Sequence, residues 1–552
     1  MPAPGVRVDT PEEQLKIRHS RLSRLPRLPR WAWLAGLAVV AAVLFVCYVR
    51  LSGTIPDNSD GSDQALQAWD MLHGNWLLRG WTVGDVSYYT TEIPEYMIVE
   101  KIMGLGANVI HVAAGLTYTL LVLLASWLAK GRATGREGVV RALVASGILL
   151  APQLGDGVHL LILQPDHIGT QVPLLVAFIV LDRGPRRWYI PAAIAVLLTW
   201  VIISDRVAVF DAALPLVAVC GLRALVALRG RVRDGTRLAA QWFELALAAA
   251  GIVSFGAAEL VVAVIKHVGG YTSLPLPSEL TGLSTLPAHA VLSVEGILSL
   301  YGADFVGLSP GWALATALVH LVGVALALAG FFLAFRRFFS ADLIVPVMAT
   351  AIVFNLAFYI LSTVPATWFD TREISVVLPF GAVLAGRQLA GPLTRVRLEP
   401  VLAVVLACYA AALGYGAVQP PVADSEQPVV GWLEAHHLVT GLGTYTEANV
   451  ITLGSGGRVA IRTVTWRSSG AVPRAYESEA SWYDPRQSYA NFVVTNSADS
   501  GGVSLIPRRD ILALAGPPAR TYRYKTFTIM VWNHNLLANL GRPPSGLPGD
   551  IP

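Results

Sequence analysis

The sequence predicts a polytopic α-helical membrane protein with a small extracytoplasmic α/β domain at its C-terminal end. Three observations carry this. The 552 residues are 54% hydrophobic and only 14% charged, with a mean hydropathy of +0.55, too apolar for a water-soluble chain of this size. About eleven stretches approach the roughly 20 apolar residues that one helical crossing needs. The last ~130 residues turn polar, with short strand-like runs and turn residues.

The first 30 residues form a basic tail carrying Arg7, Lys16, Arg18, Arg21, Arg24, Arg27 and Arg30. Such a tail before an apolar stretch is a topology signal, helped by anionic lipid headgroups, and not a nucleic-acid site. The predicted spans are 31–50, 108–129, 138–152, 169–182, 189–204, 207–222, 240–265, 311–335, 342–363, 373–390 and 399–418. No small-residue cleavage pattern follows the first, so it is expected to remain a helix. With the N-terminus cytoplasmic, the inner loops hold Lys130, Arg132, Arg136 and Arg141; Arg183, Arg186 and Arg187; Arg223, Arg229, Arg231, Arg233 and Arg237; Arg336 and Arg337; and Arg387, Arg395 and Arg397. The outer loops hold few cations: Arg79, Lys101, Arg206, Lys266 and Arg372. The alternation puts residues 420–540 outside the cytoplasmic membrane, with the long first loop, 51–107. Cys47, Cys220 and Cys408 all fall within predicted spans, so no disulfide framework or metal-type spacing is expected.

The first outer loop opens on Pro56-Asp57-Asn58-Ser59-Asp60-Gly61-Ser62-Asp63. Gln64–Leu72 predicts a short amphipathic helix on the membrane surface, with Asp63 suited to cap it and Trp69, Trp76 and Trp81 at the interface. A second outer segment, 266–310, contains Pro275, Pro277 and the amphipathic run Val291–Tyr301, suited to cover an entrance. In the C-terminal region Val429–His436 reads as a helix, and Val450–Leu453, Arg458–Val464, Phe492–Thr495 and Thr526–Trp532 as strands. Its aromatics Tyr445, Trp466, Tyr476, Trp482, Tyr483 and Tyr489 suit either sugar rings or the domain's own core. The tail 541–552, rich in Pro and Gly, reads as disordered.

The run from Asp60 to Trp76, with Met71, Leu72 and Gly74 closing its helix, resembles the first outer loop of the GT-C superfamily of membrane glycosyltransferases. Those proteins place an Asp soon after the first span, before a juxtamembrane helix ending in a Met/Leu-x-Gly pattern. Tyr88-Tyr89-Thr90-Thr91-Glu92-Ile93-Pro94 loosely echoes a second family motif, without its Lys. The resemblance implies transfer of a sugar from a polyprenyl-phosphate donor to a glycan, lipid or protein acceptor. It makes Asp60 the general base, with Asp57, Asp63 and Glu92 as further catalytic or acceptor contacts. The bland alternative for these acids is a solvated loop or a helix cap.

The resemblance also implies a basic residue near a late span touching the lipid phosphate. Arg372 fits, since a guanidinium offers permanent charge and forked donors; the alternative is a local pair with Asp370 or Glu373. His159 and His167, with Asp166, fall in an outer turn where they could bind phosphate or serve the fold. Asp205 and Arg206 end a span on the same side, where a local ion pair is the simpler account. Asp57, Asp60, Asp63, Glu92 and Glu95 are oxygen donors of the kind a divalent cation takes. They lack EF-hand spacing, and no cofactor is expected. No Walker loop or Gly-x-Ser-x-Gly elbow is present, which disfavours nucleotide sugars as direct donors. A lipid-linked-sugar transporter, or a non-catalytic scaffold with the same fold, are the rival readings; the former should show an internal repeat and midplane charges.

Overall fold

The computed structural model describes residues 29–152, 154, 156–232, 241–274, 279–339, 342–422, 426–467, 470–497 and 508–541. The basic tail to residue 28, Arg233, Arg237, Pro275, Pro277 and the tail 542–552 lie outside the described residues. The chain forms two compact units, Met1–Leu44 and Phe45–Pro552.

A helix stands at each of the eleven predicted spans: Arg30–Ser52, Asn108–Lys130, Gly135–Leu149, Ile168–Arg183, Tyr189–Ser204, a helix from Val209 to Val232 whose first turn is π-helical, Trp242–His267, Trp312–Arg336, Ile344–Leu361, Val377–Arg395 and Glu399–Ala417. Seven are long and apolar enough to cross a membrane by themselves, and an eighth is reached when the short helix Trp368–Ile374 is joined to Val377–Arg395 across a 46° bend. Gly135–Leu149, Ile168–Arg183 and Tyr189–Ser204 have only 15 or 16 residues. At 1.5 Å per residue they extend about 24 Å at most, short of the ~30 Å hydrocarbon core. Among the described residues, length and composition therefore give seven or eight crossings instead of eleven.

The connecting loops sort into two sets. In one, Arg132 Nε donates to Asp182 O (3.0 Å) and Arg183 to Gly131 O (2.8 Å). Arg186 meets Glu244 at 3.4 Å, and Arg136 pairs with Glu399. Arg387, almost fully buried, joins Asp182 (2.9 Å) and Asp342 (2.6 Å). These are the loops expected to be cytoplasmic. The other set is stitched by a three-stranded sheet. Strand β1 (Trp81–Val83) pairs in parallel with β2 (Thr272–Ser273) and antiparallel with β6 (Ser478–Glu479). The first loop, the 266–310 segment and the C-terminal region therefore share one side of the bundle.

The C-terminal region holds a six-stranded mixed sheet. Its remaining strands are β3 (Thr440–Gly443), β4 (Ala460–Arg467), β5 (Gly470–Pro473), β7 (Phe492–Asn496), β8 (Arg520–Tyr524) and β9 (Phe527–Val531), in the order β5-β4-β3-β7-β9-β8. Only β3 runs parallel to its neighbours, β4 and β7. Gly441 is required there: a Cβ would lie 2.4 Å from the Phe492 ring. The expected strand Val450–Leu453 is instead part of the helix Tyr445–Gly454, the β3-to-β4 crossover. A short β-branched run does not distinguish strand from buried helix. Here Ala448 and Ile451 bury against the sheet while Leu453 buries in the core beneath the first outer loop. Both faces of the helix are used, and packing overrides propensity.

Candidate functional site

The helix that carries the acidic motif spans Ser59–Leu72, five residues longer at its start than expected. Asn58 is its N-cap, accepting from Gly61 N at 2.9 Å. Asp63, the expected cap, is fully buried in the second turn and accepts from the Gln67 amide. The earlier cap lies between the acids: Asp57 falls before the helix and Asp60 in its first turn. Asp57 is buried beside His111, 3.4 Å away. Trp81 is buried, its indole donating to Asp70 at 2.7 Å, while Trp76 stays exposed.

Asp60 and Arg372 meet. Asp60 Oδ2 is 3.5 Å from Arg372 Nη1, with the two side chains 25% and 21% exposed. The same Nη1 lies 3.3 Å from Asp166 Oδ2, and Gln64 and Gln164 also donate to that carboxylate. The other Asp60 oxygen accepts from the Tyr445 hydroxyl, which also donates to Glu477. Arg474 lies 4.0 Å over the Tyr445 ring. Arg372 is free of both local partners considered for it. Asp370 instead closes a capping box with Thr367, and Glu373 turns to His167. This follows from the tight helix Trp368–Ile374, which fans consecutive side chains in different directions.

His167 forms a second layer. Its Nδ1 is 2.9 Å from Asp205 and its Nε2 is 3.2 Å from Glu373, with the Tyr88 hydroxyl 3.1 Å from Nε2. The local Asp205–Arg206 pair is not the one formed, since Arg206 reaches Glu259 at 3.1 Å. Burial disfavours imidazolium, but Glu373 and Asp205 outweigh it and raise the His167 pKa well above its usual value. His159 is half-buried in the short helix Asp156–Ile162, just before the turn that carries Asp166 and His167. Glu92 is buried at the start of its helix, where the hydroxyls of Thr91 and Thr170 donate to it.

Acids outnumber cations: Asp60, Asp63, Asp85, Asp166, Asp205, Glu373 and Glu477 against Arg372, Arg474 and His167. Burial opposes the ionised form of several of these acids. It raises Asp63 and Glu477 well above their ordinary carboxylate values; Asp60 adds to both, and Asp63 adds to Glu477. Burial likewise raises Asp166, with Arg372 opposing. Among the described residues seven non-glycines have positive φ, and three of them, Tyr88 (49°), His167 (55°) and Glu477 (52°), stand in this cluster. That conformation costs on the order of 1–3 kcal/mol each and concentrates where a site demands it. No group of three or more His, Cys, Asp or Glu side chains among the described residues is arranged to hold a metal ion.

Arg372, Asp60 and His167 are brought together as one neighbourhood. Arg474 and Glu477 were not anticipated as site residues, and Tyr445 was singled out only among the aromatics that suit either sugar rings or the domain's own core. The only sequence signal they offered was the aromatic richness of the C-terminal region. Asp166, Asp205 and Glu373 had a better one, since each is an acid at the outer end of a predicted span.

No family model matches the chain, and no curated protein matches it by sequence. Two solved structures are similar to it in fold. One is the ArnT of Cupriavidus metallidurans bound to undecaprenyl phosphate, at 14% identity and a TM-score of 0.49, covering 93% of this chain and 99% of that one. Another is the oligosaccharyltransferase of Archaeoglobus fulgidus tethered to an acceptor peptide containing the NVT sequon, at 12% identity and a TM-score of 0.43, covering 84% and 69%.

Proposed function

We propose that this protein is an integral membrane glycosyltransferase that moves a sugar from a polyprenyl-phosphate donor to an acceptor outside the cytoplasmic membrane. In this reading all eleven helices cross the bilayer, the short ones where it is locally thin, and residues 420–540 form an external domain. The single observation that carries the reading is the contact of Asp60 with Arg372, drawn from distant parts of the sequence to one partly exposed spot on the side where the loops and the sheet meet.

The chemistry follows from that contact. Asp60 takes the proton of the acceptor hydroxyl as its oxygen attacks the anomeric carbon, and the bond from that carbon to the donor phosphate breaks. Before reaction Arg372 is bound to two carboxylates. The attraction to one at this distance is roughly 5 kcal/mol at an effective dielectric of about 20. Protonating Asp60 removes that hold just when the leaving phosphate gains charge. The guanidinium is then free to receive it as a forked donor. Asp166 keeps Arg372 in place throughout, and Tyr445 orients the base. His167 neutralises Asp205 and Glu373, which would otherwise compete for Arg372.

The test is transfer by purified protein in nanodiscs from labelled polyprenyl-phosphate arabinose, mannose, glucose and galactose. The parent should transfer at least one sugar, and Asp60→Asn should lose about 100-fold or more of kcat while still binding donor. Absence of transfer from all four donors, or full activity in the variant, would defeat the proposal.

A further inference from the structure

A cleft of about 520 Å³ opens between the C-terminal half of the helix Ser59–Leu72 and the sheet of the C-terminal region, away from the ion-paired cluster. Trp69, Asp70 and His73 line it from the helix, Arg462 and Trp482 from the C-terminal region, and Arg79 from the loop after the helix. Trp69 lies nine residues from Asp60 on one helix, about 14 Å along its axis.

The charges in the cleft are unevenly satisfied. Asp70 accepts from Asn75 (2.6 Å) and Trp81 (2.7 Å). Glu479 is spent on Ser481, whose backbone N–H donates at 3.0 Å and whose hydroxyl donates as well. Arg462 is the opposite case. Its guanidinium lies 4.2 Å over the Trp482 ring, and its Nε is buried without a hydrogen-bond partner. Among the described residues neither Arg462 nor Arg79 forms a salt bridge, although Glu479 acts on Arg462 through space and favours its charged form. Burial pushes the Arg462 pKa down only to about 10, so it remains a cation at neutral pH. A desolvated cation with an unpaired donor is costly until an anion meets it. The Trp69 and Trp482 indoles, both half-buried, add apolar surface to the cleft from the helix and from the C-terminal region.

We propose that this cleft is a saccharide-binding site for a sugar bearing a carboxylate or phosphate, with the anion on Arg462 and the ring against Trp69 and Trp482. Uronates and sugar phosphates share this chemistry. Assigning the bound sugar as a further unit of the acceptor rests on the function proposed above. Binding itself does not, so an inactive enzyme that binds would overturn the transfer reading alone.

The experiment is calorimetric titration of the full chain in nanodiscs with tetragalacturonate, glucose 6-phosphate, maltotetraose and inorganic phosphate. At least one anionic sugar should bind saturably below about 10 mM, and maltotetraose about tenfold more weakly. Arg462→Gln and Trp482→Ala should each weaken binding about tenfold at unchanged Tm, while Asp60→Asn leaves it intact. Should either variant fail to fold, Trp69→Ala and the exposed Arg79→Gln at the rim should weaken binding in the same direction. No saturable binding of either anionic sugar, binding indifferent to these variants, or inorganic phosphate binding as tightly as the sugars would overturn the proposal.

Discussion

Asp60 has one oxygen toward Arg372 and the other toward Tyr445, so a cation and a neutral donor hold it from two parts of the chain. Removing the phenol hydroxyl costs Asp60 one hydrogen bond, worth about 1–1.5 kcal/mol, and leaves the guanidinium contact alone. Tyr445→Phe should therefore lower kcat about tenfold with the donor KM unchanged, as steady-state kinetics will show; an equal change in donor KM would place Tyr445 in donor binding instead. Glu92 offers a separate prediction. Burial pushes it up to about 8 from its ordinary 4.5, and the Thr91 and Thr170 hydroxyls oppose this only in part. The folded state thus keeps a proton that the unfolded chain releases. The stabilisation is complete below about pH 4.5, declines as pH rises and is gone above about 8. Thermal unfolding of Glu92→Gln, which stays neutral, should show a Tm less dependent on pH across that window than the parent's. Residues such as Asp60 and Arg372 were legible because each is a charge beside an apolar stretch. The meeting of Tyr445 and Glu477 with Asp60 was not, since nothing local to them foretells that the C-terminal region folds back onto the first loop.

At the scale of elements, the start of the helix Ser59–Leu72 fixes which acid faces Arg372. Asn58 caps it, and the same residue's carbonyl accepts from the Ser62 hydroxyl at 2.7 Å. Asn58→Ala should cost about 1 kcal/mol and lower activity by loosening the turn that aims Asp60. Comparing Tm and kcat in that variant separates the two effects, and a full loss of stability without loss of kcat would contradict the positioning role. Helices stand at all eleven apolar stretches, but among the described residues only seven or eight have the length for a crossing, so apolar runs located the helices without fixing the number of spans. The extended start of the helix Ser59–Leu72 was not legible, because Asn58, Ser59, Asp60 and Asp63 are all capping types and the sequence does not rank them. Val450–Leu453 was misread for a related reason: its β-branched side chains fit a strand, but the β3-to-β4 connection demands a helix there. Gly441 shows the same dependence on packing. Gly441→Ala would push a methyl into Phe492 and should destabilise the protein by about 1–3 kcal/mol, measured by denaturation of the purified chain.

At the scale of the whole molecule, the two sets of loops give the protein two chemically different ends. One is tied by arginines to carboxylates and carbonyls, with Arg387 bonded to Asp182, Asp342 and Leu128 O. The other gathers the acidic cluster and both sheets. The excess of basic residues at the first end predicts that it faces the cytoplasm. Single cysteines replacing Lys101 and His436 should be labelled by an impermeant maleimide in intact cells, and those replacing Arg187 and Arg395 only after permeabilisation. The reverse pattern would invert the molecule and put the site on the wrong side for an external acceptor.

The most direct measurement is a double-mutant cycle on the transfer rate, using Asp60→Asn, Arg372→Gln and the two together. If proton uptake by Asp60 releases the Arg372 charge to the departing phosphate, the two act as a unit, and the double variant should be no slower than the slower single. Losses that simply multiply would show two independent residues and contradict the account.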